Sequence, residues 1–139
     1  MQIIFQTKTE FVFRFDRGED VLAELQNWAA QERVEAASLS AIGASQKVVL
    51  AYYDLATKEY QNHEITENLE VVGVTGNLAM FDGVPVIHMH GTFSRADLSV
   101  LAGHIKQLIV SATCEVVLRV LPGTLRRQYD PETGLNLLA

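Results

Sequence analysis

In "FVFRF", at 11 to 15, Phe11, Phe13 and Phe15 fall on one side and Val12 and Arg14 on the other, the two-residue period of a strand. After "DRGED" the period changes. Val21, Leu22, Leu25, Trp28, Ala29 and Glu32 follow the three-or-four spacing of an amphipathic helix, and Asp20 is placed to cap it, so one main helix is predicted over about 20–32.

From Ala36 onward, runs rich in β-branched and aromatic residues recur between turn-formers: "KVVLAYY", "EYQNHEIT", "LEVVGVTGNLAMF" and "VPVIHMHGTF". Asp82-Gly83 joins the last two. That dipeptide tolerates the positive φ of a tight hairpin, which pairs 69–80 with 84–93 as antiparallel neighbours. In "VSATCEVVLRVL", Val110, Ala112, Cys114, Val116, Leu118 and Val120 alternate with Ser111, Thr113, Glu115 and Arg119, a strand covered on one side. The tail "DPETGLNLLA" opens on a turn and ends apolar, so it is expected to dock. One clear helix against six or seven strands, with no β-helix-β rhythm, predicts an α+β fold built on an antiparallel or mixed sheet.

Length and composition bound this picture. A chain of 139 residues with 48% hydrophobic residues fits one domain, 1–139, with a sizeable core. The net charge of −6 and a pI near 5.1 repel a polyanion, and the cations are scattered singly except Arg126-Arg127. Cys114 is the only cysteine, so no intrachain disulfide forms and a reducing, cytoplasmic setting is expected. "MQIIFQTKTEF" lacks the pattern of a signal peptide, and no apolar run is long enough to span a membrane.

The chemistry concentrates in "VIHMHGTFSRADLSVLAGHI", 86–105. On a strand, His88, His90 and Thr92 share the face opposite Ile87 and Met89. Residues two apart lie roughly 6.5–7 Å from each other, so two imidazoles leaning inward can grip one ion. His104 follows after a segment long enough to fold back, with Gly103 allowing an unusual turn. Three neutral imidazoles suit zinc or another divalent ion and leave room for water or substrate. A polar strand face also carries histidines with no ion, and "SRAD" at 94–97 reads as a capping box that would open a helix and turn His104 elsewhere, so both readings stand.

Glu115 is a candidate fourth ligand or general base, and Asn77 a candidate outer-shell donor. His63 reads as a residue on a solvated strand face and Cys114 as a small core hydrophobe. Arg126-Arg127 reads as surface charge or as a site for an anion or a partner's carboxylate. The glycines of "VVGVTGN" do not form a phosphate loop, because neither the Lys-Ser/Thr ending nor a following helix is present.

Taken in order, "RFDRGEDVLAELQNWA", "AIGA", "VVGVTGNLAMFDGVPVIHMHGTFS", "AGHI", "CEVVLRVLP" and "YDPETGL" resemble the plant-and-prokaryote conserved (PPC) domain, in its prokaryotic stand-alone form, over 11–138. The resemblance implies an α+β domain that assembles as a homotrimer, related in fold to acetolactate decarboxylase, a zinc enzyme whose metal is held by an H-x-H pair and a later histidine. Carried over, the ligands here would be His88, His90 and His104, and Glu115 matches the family's recurrent glutamate, a candidate catalytic residue. Where the family shows two glycines before the third histidine, this chain has Ala102-Gly103. Plant members carry a basic AT-hook that enters the minor groove, and this chain has none. The functions implied are a metal-site protein, enzyme or small-molecule sensor, with a DNA-associated regulator and a scaffold with a structural ion as alternatives. The net charge of −6 opposes the DNA reading.

Overall fold

The computed structural model describes residues 1–139. The elements are β1 (Gln2–Gln6), β2 (Glu10–Asp16), α1 (Val21–Gln31), β3 (Ala36–Asp54), β4 (Glu59–Ile65), β5 (Leu69–Phe81), β6 (Val84–Ser94), β7 (Val100–Val120), β8 (Arg127–Asp130) and β9 (Leu135–Leu138). Seven strands form one sheet in the order β1-β2-β7-β6-β5-β3-β4, and β8 and β9 form a separate hairpin. β7 also pairs with β3, so the sheet closes on itself through β3, β5, β6 and β7.

The α+β class expected from the sequence is not what forms. Every strand pairing is antiparallel, and nine strands stand against a helix of 11 residues, which makes this a β-dominated fold. The helix begins where its signals place it: Asp20 Oδ1 accepts from the amides of Leu22 and Ala23 at 3.1 and 3.4 Å, and Oδ2 accepts from Gln107 Nε2 at 3.0 Å, which ties the cap to β7. The balance shifts instead at 94–109. "SRAD" opens no helix. Asp97 Oδ1 accepts from the Ser99 amide at 2.9 Å, Leu98 takes a φ of 66°, and the chain reverses tightly into β7, which runs 21 residues.

The alternating positions form the core. Phe13 and Phe15 are fully buried, and the Trp28 ring meets Phe11 and Phe13 edge-on with centroids 4.9 Å away, which seats α1 on the sheet. Val110, Cys114, Val116 and Leu118 are buried as predicted, whereas Ala112 is exposed, because the β3–β7 register shifts between Gly43 and Ser45 and turns that residue outward. The 69–80/84–93 hairpin forms as β5 and β6, with Asp82 and Gly83 at φ of 49° and 81°. The tail docks: Tyr53 Oη donates to the Thr133 carbonyl at 2.6 Å and Lys58 Nζ to that of Pro131 at 2.7 Å. No helix is long and apolar enough to cross a membrane.

Candidate metal centre

His88 and His90 stand two apart on β6, so their side chains leave the same face. The third histidine arrives by a simpler route than the fold-over expected from the sequence. β7 returns directly beside β6, and His90 and His104 are register partners across that ladder. Gly103 makes no unusual turn. It lies inside the ladder opposite Gly91, where a Cβ would stand 3.3 Å from the Ala51 carbonyl oxygen of β3. The glycine therefore lets two strands close on the segment that carries His104.

The ring centroids lie 5.0 Å (His88–His90), 4.9 Å (His88–His104) and 5.4 Å (His90–His104) apart, and the candidate ligand atoms all fall within 4.8 Å of one another. His88 Nε2 and His90 Nε2 are 3.1 Å apart. Two nitrogens on a tetrahedral zinc, each at about 2.05 Å, stand about 3.3 Å from each other. The pair is thus already spaced close to the bite of an ion. His104 Nδ1 is buried with no hydrogen-bond partner, and a buried ring nitrogen rarely stays unpaired.

Burial keeps two of the imidazoles neutral. Burial lowers the His104 pKa to about 4, assisted by Lys106, His88, His90 and Arg127. Burial, then Arg127, His90 and Lys106, push His88 down as well. Near neutral pH both rings present lone pairs, which a metal ligand requires.

Three further side chains surround the histidines. Tyr60, on β4, stacks on His104 with centroids 5.1 Å apart; Lys106 Nζ lies 3.9 Å from the centroid of that tyrosine; and Arg127, on β8, donates from Nη2 to Asn77 Oδ1 at 2.6 Å. Lys106 was within reach of the sequence, since it shares a strand face with His104 two residues earlier. Arg127 belongs to the Arg126-Arg127 pair, which the sequence reads as surface charge or as a site for an anion or a partner's carboxylate and does not place beside the histidines. Tyr60 carries no sequence signal, because it depends on β4 pairing beside β3. Burial raises the Tyr60 pKa and lowers those of Lys106 and Arg127.

The remaining candidates lie apart. Asn77 is the register partner of His88, and its amide oxygen serves Arg127. Glu115 falls outside the histidine group: it is exposed, eleven residues beyond His104 on β7, beside Ile42 and Val72. His63 is exposed on β4. Cys114 is fully buried, and burial pushes its thiol up to about 11, far from a nucleophile.

Comparison with known proteins shows the family and the fold. A model of the Plants and Prokaryotes Conserved (PCC) domain matches residues 3–122. A metal-containing protein from Archaeoglobus fulgidus is 33% identical, with 100% of this chain and 99% of that one covered and a TM-score of 0.88. A candidate DNA-binding protein from Ralstonia eutropha JMP134 is 31% identical, with 97% and 94% covered and a TM-score of 0.90. Acetolactate decarboxylase from Bacillus subtilis subspecies spizizenii is alike in fold, at 14% identity and a TM-score of 0.61, over 86% of this chain and 56% of that one. No curated protein matched.

Proposed function

The chain belongs to the Plants and Prokaryotes Conserved (PCC) domain family, and from that premise we propose that it is a metal-site protein: His88, His90 and His104 hold one divalent ion, zinc first, and present it to a small molecule in the adjoining cavity. The convergence of three imidazole donors within 4.8 Å carries this reading. A three-histidine set is the donor set of catalytic zinc, since closed structural sites take four protein ligands. Such an ion supplies Lewis acidity, able to polarise a carbonyl or to make a bound water nucleophilic. The chain's own residues do the rest. β6 and β7 fix the three rings, Tyr60 covers one side of His104, and the β8–β9 hairpin walls the cavity through Leu135 and Asn136. Glu115 receives no step in this reading, because it stands apart from the rings.

Self-association as a homotrimer belongs to the same proposal. Ile42 and Val72 line one surface depression, Val117 follows Glu115 by two positions on the same strand face, and all three are exposed. Apolar side chains grouped this way mark a contact surface. Protein purified without added metal is expected to contain about one zinc per chain by elemental analysis, with a light-scattering mass three times 15.4 kDa. A metal-free preparation that takes up no zinc on dialysis would sink the metal reading.

A DNA-associated role is the second reading, favoured by the likeness to the Ralstonia eutropha protein. Phosphate neutralisation dominates DNA affinity, and a chain of net charge −6 starts with the wrong sign. A fluorescence-anisotropy titration with mixed-sequence duplex is expected to show no binding even at low salt. Binding that persists at physiological salt would reverse the order of the two readings.

A further inference from the structure

Two cations beside the histidines have no acidic partner. Arg127 donates from Nη1 to the Asn136 carbonyl at 2.9 Å and from Nη2 to Asn77 Oδ1, both neutral acceptors, and its Nε is buried with no acceptor. Lys106 has only the Tyr60 ring under its ammonium. The chain's ion pairs, Met1–Glu19, Arg14–Asp16, Lys47–Glu64 and Arg95–Glu67, all lie elsewhere. Arg127 and Lys106 nevertheless line the same cavity of about 350 Å³ as His88 and His104, and no aspartate or glutamate lines it with them.

Arg127, half-buried and left without a counter-charge, carries a desolvation cost that an anion offsets, and the exposed Lys106 adds a second positive charge beside it. Arg127 has donors to spare, since a guanidinium carries five N–H groups and two are engaged here. The cavity volume sits at the lower end of ligand pockets, roughly 300–1,000 Å³, which suits a small molecule rather than a polymer. Its walls also hold Leu22, Val86, Leu135 and Leu137, which ask for a carbon skeleton beside the charge. We infer that this cavity binds a small organic carboxylate, its carboxyl group paired with Arg127 and Lys106 and its apolar part against the β8–β9 hairpin, next to the three imidazoles. The inference deepens the metal reading and rests on it for the cavity's role, while the carboxylate contacts come from Arg127 and Lys106 themselves.

Isothermal titration at constant ionic strength tests it with butyrate, its neutral analogue butyramide, and inorganic phosphate, on zinc-loaded and metal-free protein. Butyrate is expected to bind and butyramide to bind far more weakly. Arg127→Gln should weaken butyrate by at least about tenfold, the loss of a charge-assisted pair. Lys106→Gln should weaken it by a smaller factor, and Arg127→Lys should restore part of the loss. Zinc content should stay unchanged in all three variants, and circular dichroism identifies any variant that fails to fold, in which case Lys106→Gln carries the test. Butyrate affinity within about twofold of wild type in the folded cation variants overturns the inference, as does equal binding of butyramide, preference for phosphate, or no butyrate binding up to millimolar concentration. If the protein takes up no zinc yet binds butyrate in an Arg127-dependent way, the carboxylate site stands and the metal reading falls. If zinc loads fully and butyrate ignores Arg127, the reverse holds.

Discussion

Replacing His88 and His90 together with alanine is expected to bring zinc from about one ion per chain to background while the fold persists. The two rings supply the donor pair whose nitrogens are 3.1 Å apart, and His104 alone offers one ligand, too few to hold a structured ion. The fold should survive because the opposite face of β6 keeps Ile87, Met89 and Phe93 in the core, 7%, 1% and 0% exposed, and those contacts seat the strand. His90 is exposed and His88 half-buried, so their truncation opens no sealed cavity. Elemental analysis after dialysis against zinc, with circular dichroism on the same samples, reads both halves. A folded double variant that keeps a full equivalent of zinc would place the ion elsewhere. His63→Ala is the internal control and should leave zinc content unchanged, since that ring is exposed on β4, outside the histidine group.

Much of this candidate centre was legible in the chain because its first two histidines depend on local geometry. A strand period of two puts His88 and His90 on one face whatever the rest of the molecule does, and Asp82-Gly83 names the turn that aligns β5 with β6. The capped helix and the Phe11–Phe15 alternation are local in the same sense. The fold class was not legible, because it turns on how far β3 and β7 extend. Their 19 and 21 residues pair with several partners through register shifts that no short window of sequence encodes. The cationic side of the site was hidden for a related reason. Arg127 reaches the cavity only because the β8–β9 hairpin folds back over the sheet, held by Tyr53 and Lys58 from a different part of the chain, and the Met80 amide donates to the Leu125 carbonyl at 2.8 Å. Two adjacent arginines in a sequence carry no trace of that placement.

The glycine in "TGN" lies where β5 and β6 approach closely enough to exclude a side chain. Gly76 faces Met89 across the β5–β6 ladder, and a Cβ built on it would lie 2.6 Å from the His88 carbonyl oxygen and 2.6 Å from Met89 Cβ. Neither neighbour can yield cheaply, for one is backbone and the other is the root of a side chain only 1% exposed in the core. Gly76 thus serves not a phosphate but the close approach of β5 to the strand that carries the histidines. Gly76→Ala is expected to destabilise the protein by about 3 kcal/mol, the upper end of overpacking costs, because the clash falls on main chain, and Gly76→Val should leave little folded protein. Gly73 on the same strand is the matched control. A Cβ there meets nothing within 4 Å, so Gly73→Ala should change stability by less than about 1 kcal/mol. Urea unfolding of the two alanine variants measures the difference directly. Zinc affinity of Gly76→Ala should fall with its stability, because any shift of β6 away from β5 moves the His88–His90 pair against His104. Equal midpoints for Gly76→Ala and Gly73→Ala would show that β6 does not depend on that approach.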